Sequence, residues 1–360
     1  MERADKGLAF MLRYENVAWY ENGAVNILDR RIYPVRVGFV TCKRHSDVAQ
    51  AIADMVTQSA GPYTAAGMGM ALAAFEARDF DKEKFKRYMT TAAYTLSHAR
   101  PTTVKRMEII TAGCLEVALK AREEGRPADI AVRDYTVANL DARYRKIAVT
   151  AQHLVDMFPK KGTIMTQCFG ETIVGQMLRI AKERGYDLKI ICPETRPYFQ
   201  GARLTASVAK DMGYDVTVIT DNMPAATMQN KKVDVFTSAA DAICMDGHVV
   251  NKVGTFQIAI VAKYFGIPYF VTGAPDKGHD TIATVTIEER DPELCLEAMS
   301  VRTAMDGVKG YYPSFDVTPP HLVSGVVTDR GIFSPYDLHN YFKDNDQGLY
   351  DSNTKPMFAV

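Results

Sequence analysis

The chain has no surplus of either charge: 43 Lys and Arg stand against 43 Asp and Glu in 360 residues. A dedicated nucleic-acid binder carries a basic excess, so that class is not expected. No apolar run approaches the ~18 residues of a membrane span. The opening MERADKGLAF has neither the basic nor the apolar region of a secretory signal. The six cysteines, at 42, 114, 168, 192, 244 and 295, form no CxxC pair and no Cys/His metal spacing, and the seven histidines show no ligand spacing. These absences set expectations: reduced thiols in a cytoplasmic protein, most of them small buried hydrophobes, with no metal, cofactor, nucleic acid or membrane as partner. No strand–GxGxxG–helix unit is present. The GMGMA at 67–71 falls inside a helical pattern, where its glycines are expected to permit close helix packing. A nicotinamide dehydrogenase therefore has only fold class in its favour.

What is present is ordinary for a globular enzyme: 47% apolar and 24% charged residues. The length suggests two domains, here placed at 1–145 and 146–360. The first opens with a hairpin pattern, NVAWYENGAVNILDRR, turning at Asn22-Gly23. Helical patterns follow from about 46 to 122, and the charged stretch 124–150 reads as a connecting helix. From 162 onward short apolar strands alternate with helices, several of which stop at a glycine. That alternation predicts an α/β fold, with a Rossmann-like, doubly wound parallel sheet in the C-terminal domain and a smaller, mainly helical N-terminal domain.

In such a sheet ligands bind outside the carboxyl ends of the strands. The residues delivered there are Gln167 and Cys168, then Glu194, Thr195 and Arg196, then Asp221 and Asn222, then Asp241, then Pro275 and Asp276. A thiol, several carboxylates and an arginine on one rim make an acid/base site. Cys168 ends a buried run at a strand-to-helix turn, where a thiol can face a crevice. Taken singly, each has a plainer use: Cys168 as a core residue, Asp221 as a helix N-cap, Asp241 in a turn, Tyr311 and Tyr312 in packing.

Four stretches, ETRPYFQGARLTA (194–206), NKVGT (251–255), IEERDP (287–292) and FDVTPPHLVSGVVTDRG (315–331), closely resemble the methylthioribose-1-phosphate isomerase family. Its wider superfamily includes the alpha, beta and delta subunits of translation initiation factor 2B and ribose-1,5-bisphosphate isomerases. GPYTAAGMGMALA and ARPTTVKRM look like the family's N-terminal substrate loops. The resemblance spans roughly residues 15–335 and implies aldose–ketose isomerisation of a C1-phosphorylated sugar by a homodimer. It implies Cys168 and Asp241 as catalytic residues, with Arg100, Gln200, Asn251, Lys252, Ala60 and Gly61 binding the sugar phosphate. The regulatory relatives typically lack the cysteine–aspartate pair. Two departures bear on the substrate. The family's Arg-Gly-Ala-Pro loop reads Ser59-Ala60-Gly61-Pro62 here, and its Gly-Ala-Asp-Arg reads Ala239-Ala240-Asp241-Ala242. Serine cannot supply an arginine's charge or its bidentate fork, which leaves Lys43 or Arg44 as possible replacements.

With phosphate on C1 the ring cannot open through a free anomeric hydroxyl. The expected mechanism gives Asp241 the acid role at the ring oxygen. That requires a pocket apolar enough to raise its pKa, which its alanine neighbours suggest. Cys168 is either the base for the C2 proton through a cis-enediol or a stabiliser of a hydride shift from C2 to C1. A thiolate there would be favoured by the following helix dipole. Alternatives within enzymes are 5-deoxyribose 1-phosphate and ribose 1,5-bisphosphate as substrates. The alternative outside enzymes is a regulatory or binding protein like the initiation-factor subunits.

Overall fold

A computed structural model describes residues 2–100 and 104–343. They divide into two compact units, one ending at Arg145 and one beginning at Lys146, each with its own hydrophobic core. Among the described residues no helix is long and apolar enough to cross a membrane.

The N-terminal unit starts with a short helix, α1 (Tyr14–Val17), and an antiparallel sheet in the order β1 (Trp19–Glu21), β2 (Ala24–Leu28), β3 (Phe39–Cys42). β1 and β2 turn through Asn22 and Gly23, both at positive φ (49° and 73°), as a two-residue hairpin loop requires. Four helices follow: α2 (His45–Ala53), α3 (Gly61–Glu76), α4 (Lys82–Ser97) and α5 (Val104–Glu123). The charged stretch after them forms α6 (Ala128–Asp156), which carries the boundary between the units. Asp81 caps α4 by accepting a bond from the Lys84 amide at 2.8 Å. α3 is apolar nearly all round and is accordingly the buried centre of this unit. The GMGMA glycines lie on it. A Cβ on Gly67 would stand 2.6 Å from Thr136, and one on Gly69 2.9 Å from Leu96. They let neighbouring side chains approach α3 closely.

In the C-terminal unit β4 (Lys161–Met165), α7 (Thr172–Glu183), β5 (Asp187–Pro193), α8 (Ala206–Asp211), β6 (Asp215–Ile219), α9 (Pro224–Asn230) and β7 (Val235–Ala239) alternate. A short antiparallel pair, β8 (Ala242–Ile243) and β9 (Val249–Lys252), then precedes α10 (Thr255–Tyr264) and β10 (Tyr269–Thr272). A two-residue hairpin pair follows, β11 (Glu297–Ala298) and β12 (Val301–Arg302), then β13 (Phe315–Thr318), β14 (Gly325–Thr328) and β15 (Gly331–Phe333). The main sheet has the order β15-β14-β10-β7-β4-β5-β6, parallel throughout except for the antiparallel edge strand β15. Its apolar strands bury Phe236, Tyr269, Val271 and Val326, each fully buried aliphatic or aromatic chain contributing about 1.5–3 kcal/mol. Gly185 and Gly266, at φ 73° and 69°, end α7 and α10 in the left-handed conformation.

Three features depart from the sequence expectation. The helix expected over 200–213 is a π-helical turn at Gly201–Thr205 followed by α8. The stretch GHVVNK and the FDVT motif pair as a side sheet, β13-β9-β8, which the main-sheet pattern does not announce. A sixth parallel strand, β14, and its edge partner extend the main sheet.

Candidate active site

Because the six strands are parallel, their carboxyl ends share one rim. The chain winds outward from β4 to β5 and β6, then returns to place β7 on the other side of β4. The strand order therefore reverses between β4 and β7, the position where such sheets open a crevice. Cys168 follows β4 and Asp241 follows β7, so the two sides of that crevice carry the thiol and the carboxylate. Gly170 keeps the β4 loop close to the end of β7: a Cβ there would meet the Ala239 Cβ at 3.4 Å.

The rim is held in a strained conformation. Cys168, Glu171, Thr195 and Phe199 all have φ between 55° and 63°, none of them glycine. Each such residue costs roughly 1–3 kcal/mol and persists only where its surroundings over-determine it. Here they do. The Cys168 amide donates to Thr195 Oγ1 (3.2 Å), and Thr205 Oγ1 donates to the Cys168 carbonyl (2.5 Å). Asp221 accepts the Thr195 and Arg196 amides at 2.8 and 2.7 Å. Asp221 thus fastens the neighbouring loop and is not the N-cap of α9, a position occupied by Met223. Arg196 likewise turns to structure, its Nη2 donating to the Glu297 carbonyl at 2.6 Å.

Cys168 is partly buried. Desolvation pushes its thiol up to about 11, opposed by the charge of Lys252 and reinforced by Asp241 and Asp221. Loss of water thus works against the thiolate that the dipole of α7 would favour. Lys252 is buried, and desolvation lowers its pKa. Its Nζ donates to the Tyr312 hydroxyl at 3.4 Å and lies 5.0 Å from the Phe315 ring centroid. Asn251 is buried beside it and donates to Thr255 Oγ1 (3.1 Å), tying β9 to α10. Gln200, 6% exposed, stands at the start of the π-helical turn, and its Oε1 has no partner among the described residues. The glycine after it is obligatory, since a Cβ on Gly201 would fall 1.8 Å from the Pro193 carbonyl oxygen. A buried acceptor without a donor is what a sugar hydroxyl would satisfy. Asp241 is exposed, its amide bonded to the Val250 carbonyl at 2.9 Å. That exposure differs from the enclosed apolar setting that its alanine neighbours suggest.

Three residues have roles here that the sequence does not reveal. Tyr312 is buried with its oxygen on Lys252, whereas its neighbour Tyr311 is exposed. Arg290, from IEERDP, is held by Glu288 (Nε–Oε1 3.0 Å), and its charge acts on Lys252 and Tyr312. Asp316, from FDVT, accepts the Gly254 amide at 2.6 Å and the Phe256 amide at 3.1 Å, fixing the turn between Lys252 and α10. Burial raises the Asp316 carboxyl to about 6. All three lie in or beside the family-like motifs, and only their packing shows what they hold.

The remaining expected site residues lie in the N-terminal unit. Arg100 follows α4 and is half-buried; residues 101–103 lie outside the described residues. Ser59 is exposed at φ 56°, Ala60 is the N-cap of α3 and Gly61 its first residue. The structure places Arg30 and Arg143 against this loop. Arg30 Nη1 donates to the Gln58 carbonyl at 2.6 Å, and Arg143 Nη1 to the Ala60 carbonyl at 3.3 Å. The backbone amides of Lys43 and Arg44 bond Asp47 at the start of α2. Among the described residues no group of three or more His, Cys, Asp or Glu side chains is arranged to hold a metal ion.

The model of the initiation factor 2 subunit family matches residues 59–335. A methylthioribose-1-phosphate isomerase from Thermosipho africanus is 35% identical over 324 residues, covering 86% of this chain and 93% of that protein. The crystal structure of 5-methylthioribose 1-phosphate isomerase from Pyrococcus horikoshii matches with a TM-score of 0.79 at 29% identity, over 93% of this chain and 99% of that one. The delta subunit of translation initiation factor 2B from A. fulgidus matches with a TM-score of 0.77 at 28% identity, over 89% and 96% of the two chains.

Proposed function

The chain belongs to the initiation factor 2 subunit family, together with the methylthioribose-1-phosphate isomerases, and on that premise we propose that it is an aldose–ketose isomerase converting 5-methylthioribose 1-phosphate to 5-methylthioribulose 1-phosphate. The observation that carries this reading is the placement of Cys168 after β4 and Asp241 after β7, on the two sides of the strand-order reversal, with the buried Gln200 acceptor on the loop after β5. A purely regulatory relative has no use for a thiol and a carboxylate placed across that reversal. The main sheet is read as Rossmann-like and doubly wound, with residues 1–145 and 146–360 as the two domains. A cytoplasmic homodimer is part of the same reading, and light scattering in solution checks the dimer.

In the proposed chemistry Asp241 delivers a proton to the ring oxygen as the C1–O bond breaks. Asp241 is exposed, so substrate must cover it before it can hold that proton near neutral pH. Burial that pushes the Cys168 thiol up works against its acting as a base, so this reading takes a hydride shift over proton abstraction. The C2 hydrogen moves with its electron pair to C1, the O2 proton returns to the Asp241 carboxylate, and a ketone forms at C2. The Cys168 sulfur stabilises the electron-poor C1–C2 centre while the hydride moves, a role that does not require it to ionise. Gln200 accepts from a sugar hydroxyl. Asn251, Lys252 and Arg100, with the Ala60-Gly61 loop, hold the remaining hydroxyls and the phosphate. Turnover in heavy water tests the route. Proton NMR of the product should show C1 fully protiated, whereas deuterium at C1 would restore the enediol.

A further inference from the structure

The Ser59-Ala60-Gly61 loop has been assigned to a phosphate without carrying a charge of its own. Its backbone is also partly spent, because the Gly61 amide donates back to the Gln58 carbonyl at 3.1 Å. The structure nonetheless surrounds the loop with cations. Arg30 is 1% exposed, and its Nη1 lies 3.1 Å from where a Cβ on Gly61 would be, besides its bond to Gln58. Arg143 reaches the next turn, with Nη1 on the Ala60 carbonyl and Nη2 3.4 Å from Thr64 Oγ1. Thr57, fully buried, lies at the same turn. Its Oγ1 points at the first residue of α3, 2.0 Å from the Gly61 Cβ position, and has no partner among the described residues.

Neutral donors would satisfy the Gln58 and Ala60 carbonyls without the several kcal/mol that burying a guanidinium costs. Two arginines and an orphaned hydroxyl at the start of a 16-residue helix, whose dipole also favours an anion, form a built anion site. We propose that Arg30, backed by Arg143 and Thr57, supplies the positive charge for the substrate's phosphate that Ser59 cannot. The charge reaches the loop from the end of β2, 29 positions earlier in the chain than Ser59. This inference rests on the isomerase reading for the identity of the ligand, but not for the existence of the anion site.

The test is a charge swap. Arg30→Gln keeps an amide donor for the Gln58 carbonyl and removes the cation; adding Ser59→Arg returns a cation at the loop. Phosphate binding is read from the rise in Tm on replacing chloride with inorganic phosphate at constant ionic strength, and sugar-phosphate binding from KM against kcat. Arg30→Gln should weaken phosphate binding and raise KM by about tenfold or more, with kcat changed only a few-fold, and the double variant should recover most of both. A folded Arg30→Gln protein with unaltered phosphate affinity and KM overturns the proposal, as does a double variant that recovers neither. Should Arg30→Gln fail to fold, Arg30→Lys takes its place. It retains charge but not the fork, so several-fold weaker phosphate binding is expected, and unchanged binding overturns the proposal. If phosphate binds through Arg30 but no sugar phosphate turns over, the isomerase reading fails and the anion site stands. If sugar phosphate turns over with a KM indifferent to Arg30, the isomerase reading stands and the anion site fails.

Discussion

The Cys168 rim and the Ser59–Gly61 loop are built on opposite electrostatic principles. At the rim the chain removes water: the Cys168 thiol is pushed up, Lys252 is pushed down, and Gln200 keeps an acceptor unanswered. Four left-handed non-glycine residues hold that arrangement. At the loop, charge is brought in: Arg30 and Arg143 bond the Gln58 and Ala60 carbonyls, and the buried Thr57 hydroxyl is left without a partner among the described residues. A site that must move hydrogen between adjacent carbons gains from neutral, desolvated groups. One that must hold a dianion gains from fixed cations. The first depends on residue identity at single positions and so leaves motifs. The second depends only on where a charge ends up, and any element near the loop can deliver it.

The largest effects should come from the rim. Cys168→Ala and Asp241→Asn should each lower kcat by about a thousandfold or more while circular dichroism and Tm stay near wild type. A loss under tenfold in both would place the chemistry elsewhere. Next, Gln200→Leu removes the orphaned acceptor and should cut kcat/KM by roughly ten- to a hundredfold. An unchanged value would show that Oε1 meets no hydroxyl. A smaller change is expected from Tyr312→Phe, which leaves Lys252 without its oxygen partner: a few-fold rise in KM, measured by steady-state kinetics. The pH behaviour sharpens the contrast without any substitution. Since desolvation holds the Cys168 thiol at about 11, its alkylation by iodoacetamide should still be accelerating above pH 9, as the reactive thiolate grows with pH. A plateau by pH 8 would mean that Lys252 wins over burial and the thiolate reading returns. In the helical unit, Gly67→Ala drives a Cβ to 2.6 Å from Thr136 and should cost about 1–3 kcal/mol of stability, seen as a lower Tm.

The same contrast explains what is legible in the sequence. Alternating apolar strands and glycine-stopped helices announce the parallel sheet, because a strand covered on both faces must be apolar along its length. The position of Cys168 at the end of β4 and of Asp241 after β7 is readable as strand-end placement. That they flank the order reversal is not, since pairing order is a tertiary choice. The side sheet of β8, β9 and β13 is hidden because its strands are short and β13 lies more than 60 residues from its partner β9. Tyr312 and Asp316 look like packing and motif residues, because their roles lie in whom they touch: the Lys252 ammonium and the amides opening α10. Arg30 is invisible for the same reason. Nothing local in ILDRRIYP distinguishes a guanidinium that goes inward from its neighbour Arg31, which pairs with Asp29 near the surface.

The central claim is the isomerase chemistry at Cys168, and it is tested most directly by following purified protein by proton NMR with methylthioribose, 5-deoxyribose and ribose 1-phosphates and ribose 1,5-bisphosphate. The expected result is conversion of 5-methylthioribose 1-phosphate to its ketose 1-phosphate, abolished in Cys168→Ala. No conversion of any member, or conversion that survives loss of the thiol, would contradict it.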